Sequence, residues 1–267
     1  LVERSELTSG STWHAAGGFH TLNGDPNVAK LQGYTIELYN ELEKISGQAC
    51  GLHRSGGLIL ADTPERLEWL KMAHARAKYL GLETEMMSMK EAKALNPLLE
   101  EKYFVGAMLD AADGNLDPEG TTHAYAKSER IAGAEIYQNC RVTDLKARAD
   151  GTWDVITVNG NIHAEHVVNC GGLWAREVGR MVGLELPVLA MEHMYLITGD
   201  MPEVAAINER TGKEVLHAVD FDGELYLRQE RGPSAVFRTI PEEIASIEEL
   251  GLPPVLGRLA ELNSGLV

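Results

Sequence analysis

Positive charge, cysteine and long apolar segments are all scarce in this sequence of 267 residues. Lysine and arginine number 24 against 40 aspartates and glutamates, which gives a formal net charge of −16. This balance argues against a nucleic-acid or anionic-membrane partner, because phosphate groups are bound by clustered basic side chains. No apolar run approaches the roughly 20 residues of a membrane-spanning helix. Three cysteines without a Cys-x-x-Cys pair exclude a disulfide scaffold and a cysteine zinc site, and they indicate a reducing compartment.

A glycine-rich nucleotide fingerprint and the usual signals of a chain start are also missing. The fingerprint G-x-G-x-x-G, which binds a dinucleotide pyrophosphate, occurs nowhere in the chain. The chain begins Leu1-Val2-Glu3, without an initiator methionine, a signal peptide or a basic transit-like segment. These residues resemble the end of a strand, so we expect a piece of a longer chain. A carboxylate such as Glu3 at the end of a second strand is where a Rossmann-type fold holds ribose hydroxyls, although acidic residues end many strands.

Helix and strand signals alternate along the rest of the chain. Helix starts with a capping side chain followed by proline are predicted at Asp25-Pro26, Thr63-Pro64 and Asp117-Pro118. A capping box at residues 88–91 opens a short helix, and a further helix is predicted over 173–182. Strands are predicted at residues 55–61, 103–109, 135–138, 141–147, 153–158, 162–169, 188–198 and 224–229. The pattern predicts a mixed α/β protein with an α+β insertion.

A loop of small residues is the first candidate for a binding site. It comprises Gly10, Ser11, Thr12, Trp13, His14, Ala15, Ala16, Gly17 and Gly18. Glycines and short hydroxyl side chains let backbone N–H groups approach an anionic or planar ligand closely. Within this loop, His14 offers a base, a metal ligand or a covalent anchor. The alternative interpretation is a helix N-terminal loop with an incidental histidine.

Two later segments are weaker candidates. Residues 167–174 predict a strand that runs through Gly171 and Gly172 into a helix near Trp174, which would direct the helix dipole at a ligand. The alternative is a tight strand–helix turn. Polar residues around His193 and Tyr226 are predicted to line a substrate cavity or, alternatively, to face solvent. The remaining histidines share no metal-type spacing, so no metal site is predicted.

Five segments of the chain carry a specific family resemblance. They read LVERSELTSGSTWHAAGG, DGNLDPEG, VTDLKARADGTWDVITVNG, VVNCGGLWAREVGRMVGLE and LYLRQER. In order and spacing they resemble the dimethylglycine/sarcosine dehydrogenase family, FAD-dependent amine oxidoreductases of the D-amino-acid-oxidase-like superfamily, over residues 1 to about 231. The resemblance implies a Rossmann-like FAD-binding domain of the glutathione-reductase type combined with an antiparallel-sheet substrate domain. It also implies the bacterial cytoplasm or the mitochondrial matrix as the location.

The resemblance also implies roles for individual residues at the cofactor. Glu3, with Arg4 beside it, matches the acidic residue at the adenosine ribose, and residues 10–18 match the loop along the flavin. His14 matches the histidine that this family joins covalently to the 8α-methyl group of FAD. The backbone of Val142 matches the adenine contact. A later FAD contact is implied for Gly171, Gly172 and Trp174.

For the substrate, the resemblance implies a small N-methyl amino acid, dimethylglycine or sarcosine, that loses a hydride equivalent from its N-methyl carbon to flavin N5. His193 and Tyr226 match polar residues at the amine site, where such groups favour the neutral amine. Arg228 is a candidate for the substrate carboxylate, with pairing to Glu230 as the alternative. The electron acceptor, an electron-transfer flavoprotein or oxygen, is left open.

The resemblance further divides the chain. Residues 1–50 and 113–184 are assigned to the FAD-binding domain, 51–112 and 185–231 to the substrate domain, and 232–267 to an atypical tail. Within that tail, residues 239–251 resemble a short amphipathic helix. Two alternatives to an enzyme remain, namely a regulatory paralogue that uses the fold without catalysis and an inactive truncated product.

Overall fold

The computed structural model of the chain describes residues 1–229 and 235–239. Its helices are α1 (Pro26–Ser46), α2 (Pro64–Leu80), α3 (Met89–Leu95), α4 (Pro118–Ile131), α5 (Ala175–Arg180) and α6 (Pro202–Thr211). Its strands are β1 (Gly18–Phe19), β2 (Gly57–Ala61), β3 (Thr84–Met87), β4 (Gly106–Asp110), β5 (Gly114–Asn115), β6 (Val142–Ala147), β7 (Trp153–Thr157), β8 (Gly160–Ala164), β9 (Tyr195–Ile197), β10 (His217–Asp220), β11 (Leu225–Gln229) and β12 (Ala235–Thr239). Short 3₁₀ turns cover Glu101–Tyr103 and Gly172–Trp174.

The helix starts follow from their capping residues. The Asp25 carboxylate accepts the backbone N–H groups of the first turn of α1, and the Thr63 hydroxyl does the same for α2. Ser88 forms the predicted capping box at α3. Gly47 and Gly81 end α1 and α2 with φ of 64° and 75°, values that glycine adopts without strain. The predicted starts of these helices are therefore confirmed.

A seven-stranded sheet in the order β3-β4-β2-β10-β11-β12-β9 is the largest unit in the described residues. All its pairings are antiparallel except that of β2 with β10. Strand β2 is buried on both faces, because its alternate residues pack against different helices. Leu58 and Leu60 pack in the cluster that contains Met89 of α3, whereas Ile59 packs in the cluster that contains Leu70 of α2.

The other sheets are smaller. Strands β6, β7 and β8 form an antiparallel meander. Gly151 lies in the turn between β6 and β7, and Gly160 begins β8, at φ of 87° and 126°. Strand β1 pairs with β5. The first residues of the chain lie parallel to residues 137–140, since the Glu3 N–H donates to the Tyr137 carbonyl at 2.9 Å and the Cys140 N–H donates to the Glu3 carbonyl at 2.8 Å.

Several predicted elements differ from the structure. Residues 135–138 contribute only an isolated bridge of Tyr137 to Val2, and neither 165–169 nor 188–194 forms a strand. The predicted strand 103–109 begins only at Gly106, after a 3₁₀ turn. An apolar pattern shows that a segment is suited to a strand, but a continuous ladder partner is also required. Among the described residues these segments form at most isolated contacts, such as the hydrogen bond from the Val105 N–H to the Ala61 carbonyl of β2 at 2.7 Å. The helix predicted for 239–251 lies, beyond Thr239, outside the described residues.

Candidate functional site

The loop of small residues lies between two open cavities. The first cavity, of about 520 Å³, is bounded by the end of the loop and by side chains of β11 and of the irregular segment before β9. Its lining includes Ala15, Ala16, Gly17, Gly18, Phe19, His20, Tyr39, Leu116, Pro118, His193 and Tyr226. The second cavity, of about 550 Å³, is lined on the loop side by Thr8, Ser9 and Trp13. Both volumes fall within the roughly 300–1,000 Å³ typical of small-ligand sites.

The end of the loop is fastened to the residues that precede α4. The Leu116 N–H donates to the Gly17 carbonyl at 2.9 Å, and β1 pairs with β5. Gly17 has φ of 70°, and a Cβ there would lie 2.2 Å from the Leu116 carbonyl oxygen. Position 17 therefore requires glycine for its conformation and for the close approach of the two backbones.

His14 stands at the surface of the loop. The Trp13 indole N–H donates to its Nε2 at 2.7 Å, and its Nδ1 lies 3.4 Å from the Tyr195 hydroxyl. Tyr195 follows His193 by two residues, so His14 lies next to the segment that borders the first cavity. The imidazole is exposed and accessible to a ligand that extends along the loop.

The residues predicted to hold the ribose and the later flavin contact are brought together. The Arg4 guanidinium lies over the Trp174 ring, 4.4 Å from its centroid. The Trp174 ring also borders Gly10, where a Cβ would lie 3.6 Å from it. One carboxylate oxygen of Glu3 accepts the Ser5 N–H at 2.9 Å.

Residues 167–174 form a different local structure from the one predicted. Instead of a strand, an irregular segment reaches Gly171, whose N–H donates to the Asn169 side chain at 3.1 Å. Gly172, at φ of 54°, then opens a 3₁₀ turn before the six-residue α5. The helix predicted for residues 173–182 is therefore replaced by a 3₁₀ turn and a six-residue helix that ends at Arg180. The predicted contribution of a helix dipole to a ligand site is not supported by so short a helix. Val142 lies at the start of β6, opposite Thr157.

The two predicted amine-site residues line the first cavity together. Tyr226 lies on β11 and is 6% exposed, whereas His193 lies in the irregular segment 188–194 and is exposed. Arg228, two residues after Tyr226, is not among the described lining side chains, and its guanidinium donates to the Gln229 carbonyl at 3.1 Å. Glu230, its alternative partner, lies outside the described residues.

Sequence reasoning missed a buried cluster behind the first cavity. Asp113, which is 1% exposed, accepts His20 Nδ1–H at 2.6 Å through Oδ2 and the Thr21 N–H at 2.9 Å through Oδ1. His217 Nε2 lies 3.7 Å from the same Oδ2. His20 and Asp113 are 93 residues apart, and His217 comes from β10, so no spacing rule links them. The only local signal was Asp113 in the DGNLDPEG segment.

The charges of this cluster follow from its burial and its hydrogen bonds. Burial alone would raise the pKa of Asp113, but the hydrogen bonds and charges of His20 and His217 lower it to about 2. Burial and the charge of Asp113 raise the pKa of Asp110 to about 6. For His20, the effect of burial is outweighed by Asp113, which raises the pKa above 6.5, whereas burial lowers the pKa of His217. The surroundings of the cluster therefore favour an ion pair between Asp113 and His20, whereas burial favours the neutral form of His217.

His20, Asp113 and His217 are also the one group of metal-ligand type found in the described part of the chain, with potential ligand atoms within 4.8 Å of one another. Ligands at about 2.1 Å from a tetrahedral zinc ion lie about 3.4 Å apart. The 2.6 Å between His20 Nδ1 and Asp113 Oδ2 is a hydrogen-bond distance instead. The geometry is thus that of a carboxylate that orients an imidazole.

Comparison with known proteins identifies the family of the chain. Residues 1–256 match the family model for FAD dependent oxidoreductases. The chain is 39% identical over 231 residues to dimethylglycine dehydrogenase of Rattus norvegicus, covering 86% of this chain and 26% of that protein. Its identity to sarcosine dehydrogenase of Mus musculus is 33% over 234 residues, covering 85% and 25%. To the pyruvate dehydrogenase phosphatase regulatory subunit of Mus musculus it is 32% identical over 234 residues, covering 87% and 26%.

Among solved structures, L-proline dehydrogenase from P. horikoshii superposes with a TM-score of 0.77 at 21% identity, covering 96% of this chain and 70% of that one. Together with the family match, this likeness confirms the predicted class of fold, a Rossmann-like FAD-binding fold combined with an antiparallel sheet. The chain belongs to the FAD-dependent oxidoreductase family, whose cofactor is FAD. It spans about a quarter of the length of the curated relatives described above. Within the described ranges, no helix combines the length and apolarity needed to cross a membrane.

Proposed function

We propose that this chain carries the flavin and amine sites of an FAD-dependent enzyme that oxidatively demethylates a small N-methyl amino acid, dimethylglycine or sarcosine. The observation that supports this most directly is the first cavity. The end of the small-residue loop forms one wall of this cavity, and His193 and Tyr226 also line it. The dimethylglycine and sarcosine dehydrogenase relatives match 86% and 85% of the chain, respectively.

The residues present fit an extended cofactor such as FAD. Between Ala15 and Gly18 the loop carries no side chain larger than a methyl group, so a planar ring can lie against its backbone. The second cavity continues on the other side of the loop towards Trp13. We assign the holding of FAD to Glu3, Arg4, Gly10, Ser11, Thr12, Trp13, His14, Ala15, Ala16, Gly17, Gly18, Val142, Gly171, Gly172 and Trp174. When bound, FAD accepts the hydride equivalent from the N-methyl carbon.

At the substrate end, Tyr226 and His193 are the groups assigned to the amine. Oxidation requires the neutral amine, and a phenol or imidazole next to the nitrogen favours that form by accepting or sharing its proton. Tyr226 is held firmly, since it is buried on β11, whereas His193 is exposed and free to adjust to a ligand. We assign the orienting role to Tyr226 and the proton-accepting role to His193.

Covalent attachment through His14 is tested on the full-length protein. After acid denaturation and electrophoresis, the wild-type band is expected to show the yellow fluorescence of a protein-bound flavin, and His14→Ala is expected to lose it. His166→Ala, an exposed histidine outside the site, is the matched control and retains the fluorescence. A wild-type band without fluorescence, despite full loading with FAD, contradicts the covalent assignment.

The reaction is tested by anaerobic flavin bleaching with dimethylglycine, sarcosine and glycine. N-methyl substrates are expected to bleach the flavin faster than glycine, and Tyr226→Phe is expected to slow bleaching. Re-oxidation by oxygen or by an electron-transfer flavoprotein identifies the acceptor. A protein that binds FAD but is bleached by none of these amines is a regulatory paralogue, an outcome consistent with the phosphatase regulatory subunit among its relatives. A chain with no saturable flavin binding is an inactive product.

The mitochondrial relatives favour the matrix as the location.

A further inference from the structure

The side chain of His20 connects the buried cluster to the first cavity. Its Nδ1 is committed to Asp113 at 2.6 Å, yet the side chain is 39% exposed and lines the cavity, whereas that of Asp113 is 1% exposed. Since Nδ1 faces the carboxylate, Nε2 is the ring nitrogen left for a ligand in the cavity. The carboxylate fixes both the tautomer and the direction of the ring.

The other lining residues give the cavity no fixed positive charge. Among the described lining side chains there is no lysine, arginine, aspartate or glutamate. The remaining wall is formed by small, apolar and aromatic residues, with Tyr39, His193 and Tyr226 as further titratable groups. In such surroundings the His20 imidazolium, which is hydrogen-bonded to Asp113 on the side away from the cavity, is the lining group best placed to attract an anion.

We propose that His20, oriented by Asp113, binds the carboxylate of the amino-acid substrate through Nε2–H. The inference rests on the proposed function, because it assumes that the amine of the substrate lies near Tyr226 in the same cavity. Asp113 is a positioning residue, since it is buried and reaches the ligand only through His20. The bond is a charge-assisted hydrogen bond, which is shorter and stronger than one between neutral groups.

Several groups set the charge of His20. Asp113 and Asp110 favour the imidazolium, while burial opposes it. Burial, together with the charge of His20, lowers the pKa of His217, whose ring centroid lies 5.2 Å from that of His20, so the neutral form of His217 is favoured beside a protonated His20. The titratable and charged groups around the cluster and the cavity are Tyr39, Asp110, Asp113, His193, His217, Tyr226 and Arg228. The substrate carboxylate is therefore expected to bind tightly while His20 is protonated and more weakly as pH rises through its pKa.

The test measures binding of methoxyacetate, which keeps the carboxylate but replaces the amine by an ether, to the flavin-loaded full-length protein by calorimetry. His20→Asn retains a donor to Asp113 but has none at Nε2, and we expect it to bind about tenfold more weakly. His20→Gln places a neutral donor near Nε2, and its affinity is expected to be intermediate and independent of pH. His163→Asn, on β8, is the matched control and binds as the wild type does.

A second measurement separates binding from a merely structural role. In buffers of different ionisation enthalpy at pH 8, the wild type is expected to take up a fraction of a proton for each methoxyacetate bound, because the anion stabilises the imidazolium. His20→Gln is expected to take up none. Asp113→Asn is expected to shift the pH profile of binding to lower pH, since it removes the charge that holds the His20 proton. Thermal melts of each variant identify any loss of fold.

Each outcome has a defined meaning. Binding of methoxyacetate to folded His20→Asn with wild-type affinity, or wild-type binding without proton uptake, overturns the inference. Stoichiometric zinc binding that is lost in His20→Asn also overturns it, because His20 would then be a metal ligand. If no N-methyl amine bleaches the flavin while proton-linked binding persists, the proposed reaction fails but the carboxylate site stands.

Discussion

The hydroxyl of Tyr226 lies so close to the backbone of Gly18 that a Cβ at position 18 would stand 2.4 Å from the phenolic oxygen. Gly18 starts β1 at the end of the small-residue loop, and Tyr226 lies on β11 of the seven-stranded sheet. This contact therefore joins the loop assigned to the flavin to the sheet assigned to the substrate. Because Tyr226 is buried, it has little room to withdraw.

We predict that Gly18→Ala destabilises the fold by about 1–3 kcal/mol, because the added methyl group overlaps with the Tyr226 hydroxyl. Tyr226→Phe removes that oxygen, so the double variant is expected to recover part of the loss. A double-mutant cycle of urea unfolding measures the coupling. Gly33→Ala is the control, since a Cβ there meets no atom within 4 Å and is expected to stabilise α1 by up to about 1 kcal/mol. The same loss from Gly18→Ala in both Tyr226 and Phe backgrounds contradicts the prediction.

The buried Asp110 is predicted to make the fold less stable at higher pH. Its pKa of about 6 in the folded state exceeds the ordinary 3.8, so stability is fully present below pH 4 and falls as pH rises through 6. Asp110→Asn keeps the shape of the carboxyl, whose Oδ2 accepts the Thr21 hydroxyl at 2.8 Å. We expect the variant to be about 1–3 kcal/mol more stable than the wild type at pH 8 and similar at pH 4.

Asp113→Asn is the control, because Asp113 is expected to change stability with pH in the opposite direction to Asp110. The folded-state pKa of Asp113 is about 2, below the ordinary 3.8, so its contribution is present above pH 4 and lost as pH falls through 2. Asp113→Asn is therefore expected to be less stable than the wild type at pH 8. Denaturant unfolding at the two pH values measures both variants, and a loss of stability in Asp110→Asn at pH 8 would show that the carboxylate charge is favourable.

The parts of the fold that sequence predicts well depend on contacts within one turn of chain. The Asp25 carboxylate and the Thr63 hydroxyl cap the helices that follow them directly, and the proline after each is already in a helical conformation. The Ser88–Glu91 capping box spans four residues. In these helices the residues that determine where the helix starts are neighbours in the sequence. The start can therefore be predicted from the sequence alone.

Other parts depend on distant partners. The pattern of residues 188–198 suits a strand throughout, but only Tyr195–Ile197 pairs, with β12, a strand that lies beyond the proposed end of the substrate domain at residue 231. The cluster of His20, Asp113 and His217 was likewise invisible, because it joins three elements that only the folded sheet brings together. The family resemblance located the small-residue loop, whereas the role of Asp113 behind the first cavity became visible only from its contacts in the folded structure.

Asn96 is predicted to stabilise the fold through hydrogen bonds between the end of α3 and the residue before β10. Its fully buried side-chain amide donates to the Leu216 carbonyl at 2.9 Å and accepts the Leu98 N–H at 3.0 Å. Asn96→Ala leaves both backbone groups without this partner, and we expect a loss of about 1–3 kcal/mol in unfolding free energy. Asn161→Ala, at an exposed position of β8, is the control and is expected to change stability by less than about 0.5 kcal/mol. An equal effect of the two substitutions would assign the loss to something other than burial.

Arg66 is predicted to stabilise the β10–β11 turn through geometry as well as charge. Its guanidinium forms a two-pronged pair with Asp222, with Nε donating to Oδ2 at 2.8 Å and Nη2 donating to Oδ1. The same group lies 5.2 Å from the Trp69 ring centroid and 5.8 Å from that of Phe221. A planar guanidinium fits this arrangement, and an ammonium group does not.

Arg66→Lys, which keeps the charge, is therefore expected to lose most of the stability that Arg66→Ala loses, about 1 kcal/mol in unfolding free energy. The hydrogen bonds from Arg66 lower the pKa of Asp222 to about 2, so the pair's contribution is present above pH 4 and lost as pH falls through 2. Urea unfolding of both variants at pH 7, in low and high salt, measures the effect. If Arg66→Lys retained wild-type stability in low salt and lost it in high salt, charge alone would account for the contact.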